Sequence, residues 1–448
     1  MRGALALLTA ALLLPAAAAA QGLPDTLTLE AALGIAQDYN PSLRRAVVQA
    51  DASGADVRAG FGAFLPTLNA NLGFSGSRTS TSTGTDTTGQ AIKLPQPISF
   101  RNSNSTQSLS GQWTLFNGFE NINNYKASRA GADASAAGVD VAGTAVAAEL
   151  TRRFYDALQA RRLIEVEEAL LDVSRRQLDA TERLFRVAAR TEVDVLGAQV
   201  QLAQQEQALA RARGDALKAR VSLAEQIGIG DWSAFEVTGE LPAEIDPSAL
   251  DVDSLVQVAM GRNPRIGQRQ AEAAEADYTA TATKGRRWPV LSANASIGRS
   301  EGERSYGALL DFNPTDNSVN FGLTVRWPLF TGFQTSQAVT RASANAEVAR
   351  ETLREESLRL EREVRNAYTD LVTAYRRLVL AQRSVELSRR RLAMAQEQYE
   401  QGTIGFTDFQ QIVTQSSQEA RAWLQAQLEY TRAGVTLQEL LGQIARAW

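Results

Sequence analysis

The chain repeats itself. Asn40-Pro41 recurs 223 positions later as Asn263-Pro264, and at the same offset Pro66-Thr67-Leu68 matches Pro289-Val290-Leu291 and Ala70-Asn71 matches Ala293-Asn294. Beyond that the offset is 214. Trp113-Thr114-Leu115-Phe116-Asn117-Gly118-Phe119 aligns with Trp327-Pro328-Leu329-Phe330-Thr331-Gly332-Phe333, and the match runs on through Asp156/Asp370, Leu178/Leu392, Asp194/Asp408 and Gly228/Gly442. Such self-similarity makes the 448 residues one unit used twice rather than two or three unrelated domains. The change of offset places 9 extra residues in the first copy, in a loop expected between about Ser75 and Ser110. The expected division is 21–228 for the first repeat, with a β-hairpin at about 67–117 and a long helical hairpin at about 120–228. A linker at 229–251 precedes the second repeat, 252–448, with its β-hairpin at about 290–330 and helical hairpin at about 334–442.

Proline tells which parts are helical. The 12 prolines leave Ile98 to Leu241 and Leu329 to Trp448 empty, and proline is excluded from helix interiors. Within the second of these stretches Leu360, Val364, Ala367, Leu371, Ala374, Leu378, Ala381, Val385, Ser388, Leu392, Ala395 and Tyr399 recur at alternating spacings of 4 and 3, a coiled-coil seam. The first copy repeats it from Val146 and Leu150 to Leu178 and Phe185, with Arg153 and Glu167 as interruptions. A helix from about Asn121 to Val187 would be ~100 Å long at 1.5 Å per residue, too long for a globular core. Each copy opens with shorter helical segments, about Leu29 to Phe61 and Val252 to Thr283, bent at Asn-Pro.

Between the helices the pattern switches to period two. Leu68, Ala70, Leu72 and Phe74 alternate with Asn69, Asn71, Gly73 and Ser75. Leu109, Gly111, Trp113 and Leu115 do the same, as do Leu291 to Ile297 and Val319 to Trp327. Strands of about ten residues with one apolar and one uncharged polar face suit a membrane β-barrel; a soluble hairpin with one buried face is the competing account. Trp113, Phe116 and Phe119, with Trp327, Phe330 and Phe333, gather at one strand end as an interfacial aromatic girdle would. Four strands cannot close a barrel, so several chains must share one.

The composition removes whole classes of function. There is no cysteine and no histidine, so disulfides, thiolate or imidazole metal sites and any Cys- or His-based catalysis are excluded. Acidic side chains are scattered along helix faces, and neither an enzyme, a cofactor nor a metal site is expected. Residues 1–20, with Arg2, a short apolar core and Ala18-Ala19-Ala20, read as a secretory signal peptide. The net charge of −4 argues against nucleic acid as a partner.

Each long helix ends in a turn that leads into a return helix. The second-copy turn, Glu400-Gln401-Gly402-Thr403-Ile404-Gly405, has glycines suited to a helix stop. The first-copy turn carries Arg190, Thr191, Glu192 and Asp194, with Thr191 and Asp194 at capping-box spacing. N-terminal capping and dipole complementarity are expected to be part of what Asp194 and Asp408 do.

The duplicated order of short helices, hairpin with Trp-x-Leu-Phe-x-Gly-Phe, heptad helix, glycine turn and Asp-bearing return helix resembles the TolC-like outer-membrane factor family (outer membrane efflux proteins) over nearly the whole chain. The resemblance implies a mostly α fold with membrane β: a long α-helical coiled-coil barrel joined to a 12-stranded β-barrel shared by a homotrimer, four strands per chain. It implies a channel-tunnel set in outer-membrane lipid and crossing the periplasm. Such a duct serves a tripartite efflux pump or type I secretion system through a periplasmic adaptor (membrane fusion) protein and an inner-membrane RND, ABC or MFS transporter. A trimeric coiled-coil spacer or adhesin, or a stand-alone porin, would each explain only half of the pattern. By position the resemblance carries a gate onto Asp194, Asp408, Tyr399, Arg190 and Glu192, with tip-turn glycines Gly402 and Gly405. Three departures stand out: Gln411 replaces a ring carboxylate, Ile404 replaces the second-copy arginine, and Ala188 replaces a glycine. The expected gate is an acidic constriction of Asp194 and Asp408, held shut by polar links from Arg190 and Tyr399.

Overall fold

The computed structural model describes residues 26–85, 87–230, 235–302 and 318–444. The segment read as a signal peptide, 1–20, lies outside them. The elements repeat as the sequence does. Helices α1 (Leu29–Tyr39) and α2 (Pro41–Gly62) are matched at +223 by α5 (Val252–Arg262) and α6 (Pro264–Gly285). The long helix α3 (Glu120–Arg186) and its return α4 (Glu192–Ile227) are matched at +214 by α7 (Gln334–Glu400) and α8 (Phe406–Leu440). Among the described residues no helix is long and apolar enough to cross a membrane.

One compact unit gathers residues up to 47, 139–264 and 357 onward. Here the heptad seam turns inward: Leu360, Val364, Leu371, Leu378, Val385, Ala395 and Tyr399 are buried, as are Val146, Leu150, Ala157 and Leu171. A core of Leu27, Ala36, Leu150, Phe154, Leu158, Leu223, Ile227 and Phe235 ties α1, α3 and α4 together. It is closed by a short parallel pair, β1 (Thr26–Leu27) on β4 (Glu236–Val237), which takes the strand out of what sequence marked only as linker.

The Asn-Pro bends have a definite purpose. Asn40 breaks the helix and donates its side-chain amide to the Gln226 carbonyl at 2.6 Å, while its Oδ1 accepts from the Ser42 and Leu43 amides. Asn263 does the same to the Leu440 carbonyl at 2.9 Å. These bonds satisfy C-terminal carbonyls of α4 and α8 that would otherwise be orphaned at a buried helix end. Asn263→Ala should cost about 1–3 kcal/mol, the penalty for stranding a buried carbonyl, and a fall in the thermal midpoint of the detergent-solubilised protein would measure it.

Glu167, which sequence marked as a break in the seam, is instead buried at 3% exposure. Its carboxylate accepts two bonds from Arg421 of α8, at 2.7 and 2.9 Å, and one from Gln205 of α4 at 2.6 Å. One side chain of α3 thus pins two other helices.

The second unit holds 48–138 and 265–356. Its centre is a four-stranded antiparallel sheet in the order β2-β3-β5-β6, from β2 (Thr67–Thr85), β3 (Ala91–Asn117), β5 (Val290–Gly302) and β6 (Ser318–Arg326). Leu68 pairs with Gly111, Leu109 with Ile297 and Ile297 with Val319, so one face of all four strands carries the apolar set. The opposite face carries Asn69, Asn71, Gln112, Ser110, Asn294 and Thr324.

The long loop expected between Ser75 and Ser110 is a correction. Strand pairing persists to Thr85↔Ala91, leaving only a short turn. The apolar alternation that marks a strand in sequence fades after Phe74, but the Ser/Thr-rich backbone still completes its ladder, and threonine suits extended structure. The one irregularity, between Thr81 and Thr83, absorbs Pro95 and Pro97, which have no N–H to give.

Candidate gate turns and membrane band

At the end of α3 the chain stops in a Schellman turn: Ala189 N–H bonds the Leu184 carbonyl at 2.8 Å and Ala188 N–H the Phe185 carbonyl at 2.9 Å. Ala188 then sits at φ 54°, where the equivalent turn of α7 has Gly402 at φ 74°. An L side chain is strained there, so Ala188→Gly should stabilise the turn by about 1 kcal/mol; a thermal midpoint that falls would contradict this. Thr191 caps α4 in a full capping box, its N–H donating to Asp194 Oδ2 at 3.0 Å and the Asp194 N–H donating to Thr191 Oγ1 at 3.3 Å. Gly405 opens α8 with no side-chain cap, leaving Asp408 exposed in its first turn.

The expected gate residues divide into two groups. Tyr399 is 1% exposed, stacked on Phe409 with ring centroids 4.6 Å apart. Thr181 spends its only hydroxyl proton on the Gln177 carbonyl at 2.7 Å, so Tyr399 must donate to Thr181 Oγ1, also at 2.7 Å. The guanidinium of Arg190 lies 5.0 Å from the centre of the Tyr399 ring, a cation–π distance, and donates to the Ile404 carbonyl. Gln177 adds a bond to Gln410 at 3.0 Å. Arg190 and Tyr399 therefore fasten the α3–α4 turn to the α7–α8 turn inside one chain. Within the chain their partners are the Ile404 carbonyl and Thr181 rather than Asp194 or Asp408. Glu192 and Asp408 are exposed and Asp194 is half-buried. Sequence missed Thr181 and Phe409; both lie on the seam-facing side of their helices, and only the tertiary pairing of α3 with α7 and α8 selects them.

In the strand unit the six aromatic positions fall into two equivalent corners. Phe116 and Phe119 meet edge to face at 5.3 Å, as Phe330 and Phe333 do at 5.8 Å. Trp113 Nε1 donates to the Phe64 carbonyl at 2.8 Å and Trp327 Nε1 to the Arg287 carbonyl at 3.3 Å, an arrangement that leaves each indole half wet and half apolar. Phe119 and Phe333 both take φ 66°, after Gly118 and Gly332 at 66° and 60°. Leu329, Phe330 and Phe333 are about four-fifths exposed. A contiguous apolar surface of this kind marks contact with lipid or protein.

The model of the family described as outer membrane efflux protein matches residues 32–229 and again 255–443, once per repeat. Protein CyaE of Bordetella pertussis is 24% identical over 353 residues, covering 78% of this chain and 70% of that one. The fold is similar to that of the outer-membrane channel OprN, at a TM-score of 0.75 and 21% identity over 93% of this chain and 90% of that one. It is equally similar to the CmeC outer membrane channel of Campylobacter jejuni, at 0.75 and 18% over 93% and 85%. With both repeats matched and the helix, hairpin and turn order intact, the chain belongs to the outer membrane efflux protein family, and is an outer-membrane channel rather than an enzyme.

Proposed function

We propose that three copies of this chain form the exit duct of a tripartite efflux pump or type I secretion system, with the α3–α4 and α7–α8 turns as its periplasmic gate. The observation that carries this is the sheet: four strands with a continuous apolar face and two open edges need further strands to close, and three chains supply twelve. An adaptor protein and an inner-membrane transporter of the RND, ABC or MFS class complete the path.

The closed tip in this reading depends on links inside each chain. A charge-assisted hydrogen bond from Arg190 to the Ile404 carbonyl contributes about 1–2 kcal/mol at a half-exposed site. Its loss would shift the open fraction by about tenfold per chain. Three-fold symmetry would place Asp194 and Asp408 in acidic rings that attract cations. An adaptor that binds the open tip more tightly would shift the equilibrium toward it.

Density-gradient fractionation tests the assembly. The protein should sediment with the outer membrane and, once extracted in mild detergent, have the mass of three chains. A monomer in the periplasmic fraction would end the reading in favour of a soluble spacer.

A further inference from the structure

The two turns where a helix hands over to a strand share one backbone and carry two chemistries. After α2, the Phe64 N–H bonds the Phe61 carbonyl at 3.0 Å and the Leu65 N–H the Gly62 carbonyl at 3.0 Å. At the equivalent positions after α6, the Arg287 N–H bonds the Lys284 carbonyl at 3.3 Å and the Trp288 N–H the Gly285 carbonyl at 3.0 Å. Trp113 closes the first turn on the Phe64 carbonyl, and Trp327 closes the second on that of Arg287. The side chains differ. In the first turn Phe61, Phe64 and Tyr125 pack against one another, with ring centroids 6.2, 6.3 and 6.4 Å apart. The same three positions of the second repeat hold Lys284, Arg287 and Val339, and Arg286 stands in place of Ala63.

Helix termination does not call for these charges. Cations near a helix C-terminus complement its dipole, yet α2 ends in the same turn with phenylalanines. Acidic neighbours do not call for all of them either. Arg286 Nε donates to Glu120 Oε1 at 2.9 Å, and that pair is complete in itself. Lys284 and Arg287 are exposed, and neither side chain enters an ion pair among the described residues. The segments 289–296 and 328–337, which lead away from this turn and from Trp327, contain no acidic residue. A surplus of two positive charges therefore stands at one turn and not at its twin.

The setting says what should neutralise them. Trp288 follows directly and is 59% exposed, and the indole of Trp327 is bonded to the Arg287 main chain. The apolar face of β5 and β6 begins just beyond, at Leu291 and Val325. Apolar face, aromatic row and cationic turn, in that order, match the passage from acyl chains to phosphates at a membrane surface. Lysine and arginine at that depth lay their stems along apolar surface and keep their heads in the polar layer. A guanidinium can also meet two phosphate oxygens at once. We propose that Lys284 and Arg287 form a site for the headgroup phosphate of an anionic glycerophospholipid, one per chain, in the leaflet on the helix side of the barrel. The first turn, sealed by its own aromatic cluster, has no such site.

This proposal rests on the membrane-embedded duct above, and its test separates the two. The full-length protein, stripped of lipid in mild detergent, is offered phosphatidylglycerol or phosphatidylcholine, and the lipid it retains is counted by native mass spectrometry. Each cation near an anionic lipid surface is worth about fivefold in affinity, so two give a preference for phosphatidylglycerol of about thirtyfold. Lys284→Gln with Arg287→Gln should remove that preference. Lys284→Arg with Arg287→Lys should keep it, and so should Arg383→Gln with Arg391→Gln, which takes the same two charges from exposed positions of α7 in the helical unit. The native protein gives an answer without any variant: raising salt from about 0.1 M to about 0.5 M should cut the preference at least threefold. Equal retention of the two lipids by native protein, as a site for an acidic peptide would give, overturns the proposal. So does an unchanged preference in the neutral double variant or at high salt, or an equal loss in the α7 variant. Fractionation reads the duct independently: a chain embedded in the outer membrane that holds both lipids equally loses this site alone, whereas a soluble chain overturns both readings.

Discussion

Gly118→Ala should abolish the folded strand unit, whereas Gly332→Ala, its counterpart in sequence, should cost the isolated chain backbone strain alone. Both glycines occupy the left-handed region, so each substitution pays roughly 1–2 kcal/mol of backbone strain. They differ in what the new methyl group meets. At Gly118 it would overlap the Gly285 carbonyl oxygen at 2.2 Å and the Trp288 Cβ, fixed to its own backbone, at 2.7 Å, and neither can step aside without moving the end of α6 or the corner after β3. Overpacking against backbone, added to the strain, brings the cost to more than about 4 kcal/mol, a large share of the stability of a typical fold. The yield of outer-membrane protein and the protease resistance of its hairpins would read the difference. Equal yields for the two variants in the monomeric, detergent-dispersed state would show that the corner is not built as described.

Arg421→Ala should produce the second large effect, and it should change the sign of a pH dependence. Burial alone raises the Glu167 carboxyl, but the hydrogen bonds from Arg421 and Gln205 and the Arg421 charge outweigh it and hold the group below its ordinary value. A depressed carboxyl contributes stability above its unfolded value near 4.3, and that stability drains away as pH falls through the lower folded value. The native protein should therefore lose helical-unit stability on acidification below about pH 4.5. Without Arg421 the carboxylate keeps only the Gln205 bond, and burial then dominates and raises it. Stability should now be greatest at low pH and decline as pH rises through the raised value. Because Arg421 is partly open to water, the cost near neutrality is about 2 kcal/mol, less than for a fully enclosed pair. Denaturant midpoints at pH 4, 5.5 and 7 would show the reversal; parallel profiles for the two proteins would refute it.

Much of this architecture is legible in the amino-acid sequence alone. The 4-3 spacing from Leu360 to Tyr399 is a local pattern with one physical meaning, and most residues that carry it are buried, with Ala381, Ser388 and Leu392 half-buried. The boundaries of α3 and α7 follow from the same pattern together with the excluded prolines. The Ser/Thr tract after Phe74 was not legible as strand, since its side chains show no apolar face and the ladder is made by the backbone alone. Glu167 misled for the opposite reason: a carboxylate within a seam reads as a break unless Arg421, 254 residues away in the chain, is known to arrive beside it. At the turns proposed as the gate, Asp194 and Asp408 are marked by helix starts, but which partner Arg190 takes depends on a carbonyl, which carries no sequence signal.

The gate offers the most direct test of the central claim. The account predicts that trimers reconstituted in planar lipid bilayers give small, cation-preferring conductance steps. Arg190→Ala combined with Asp408→Asn should enlarge the steps severalfold, because the link to Ile404 is gone, and reduce the cation preference, because one acidic ring is neutralised. Trimers that conduct nothing, or whose conductance and ion preference are the same with and without these substitutions, would contradict it.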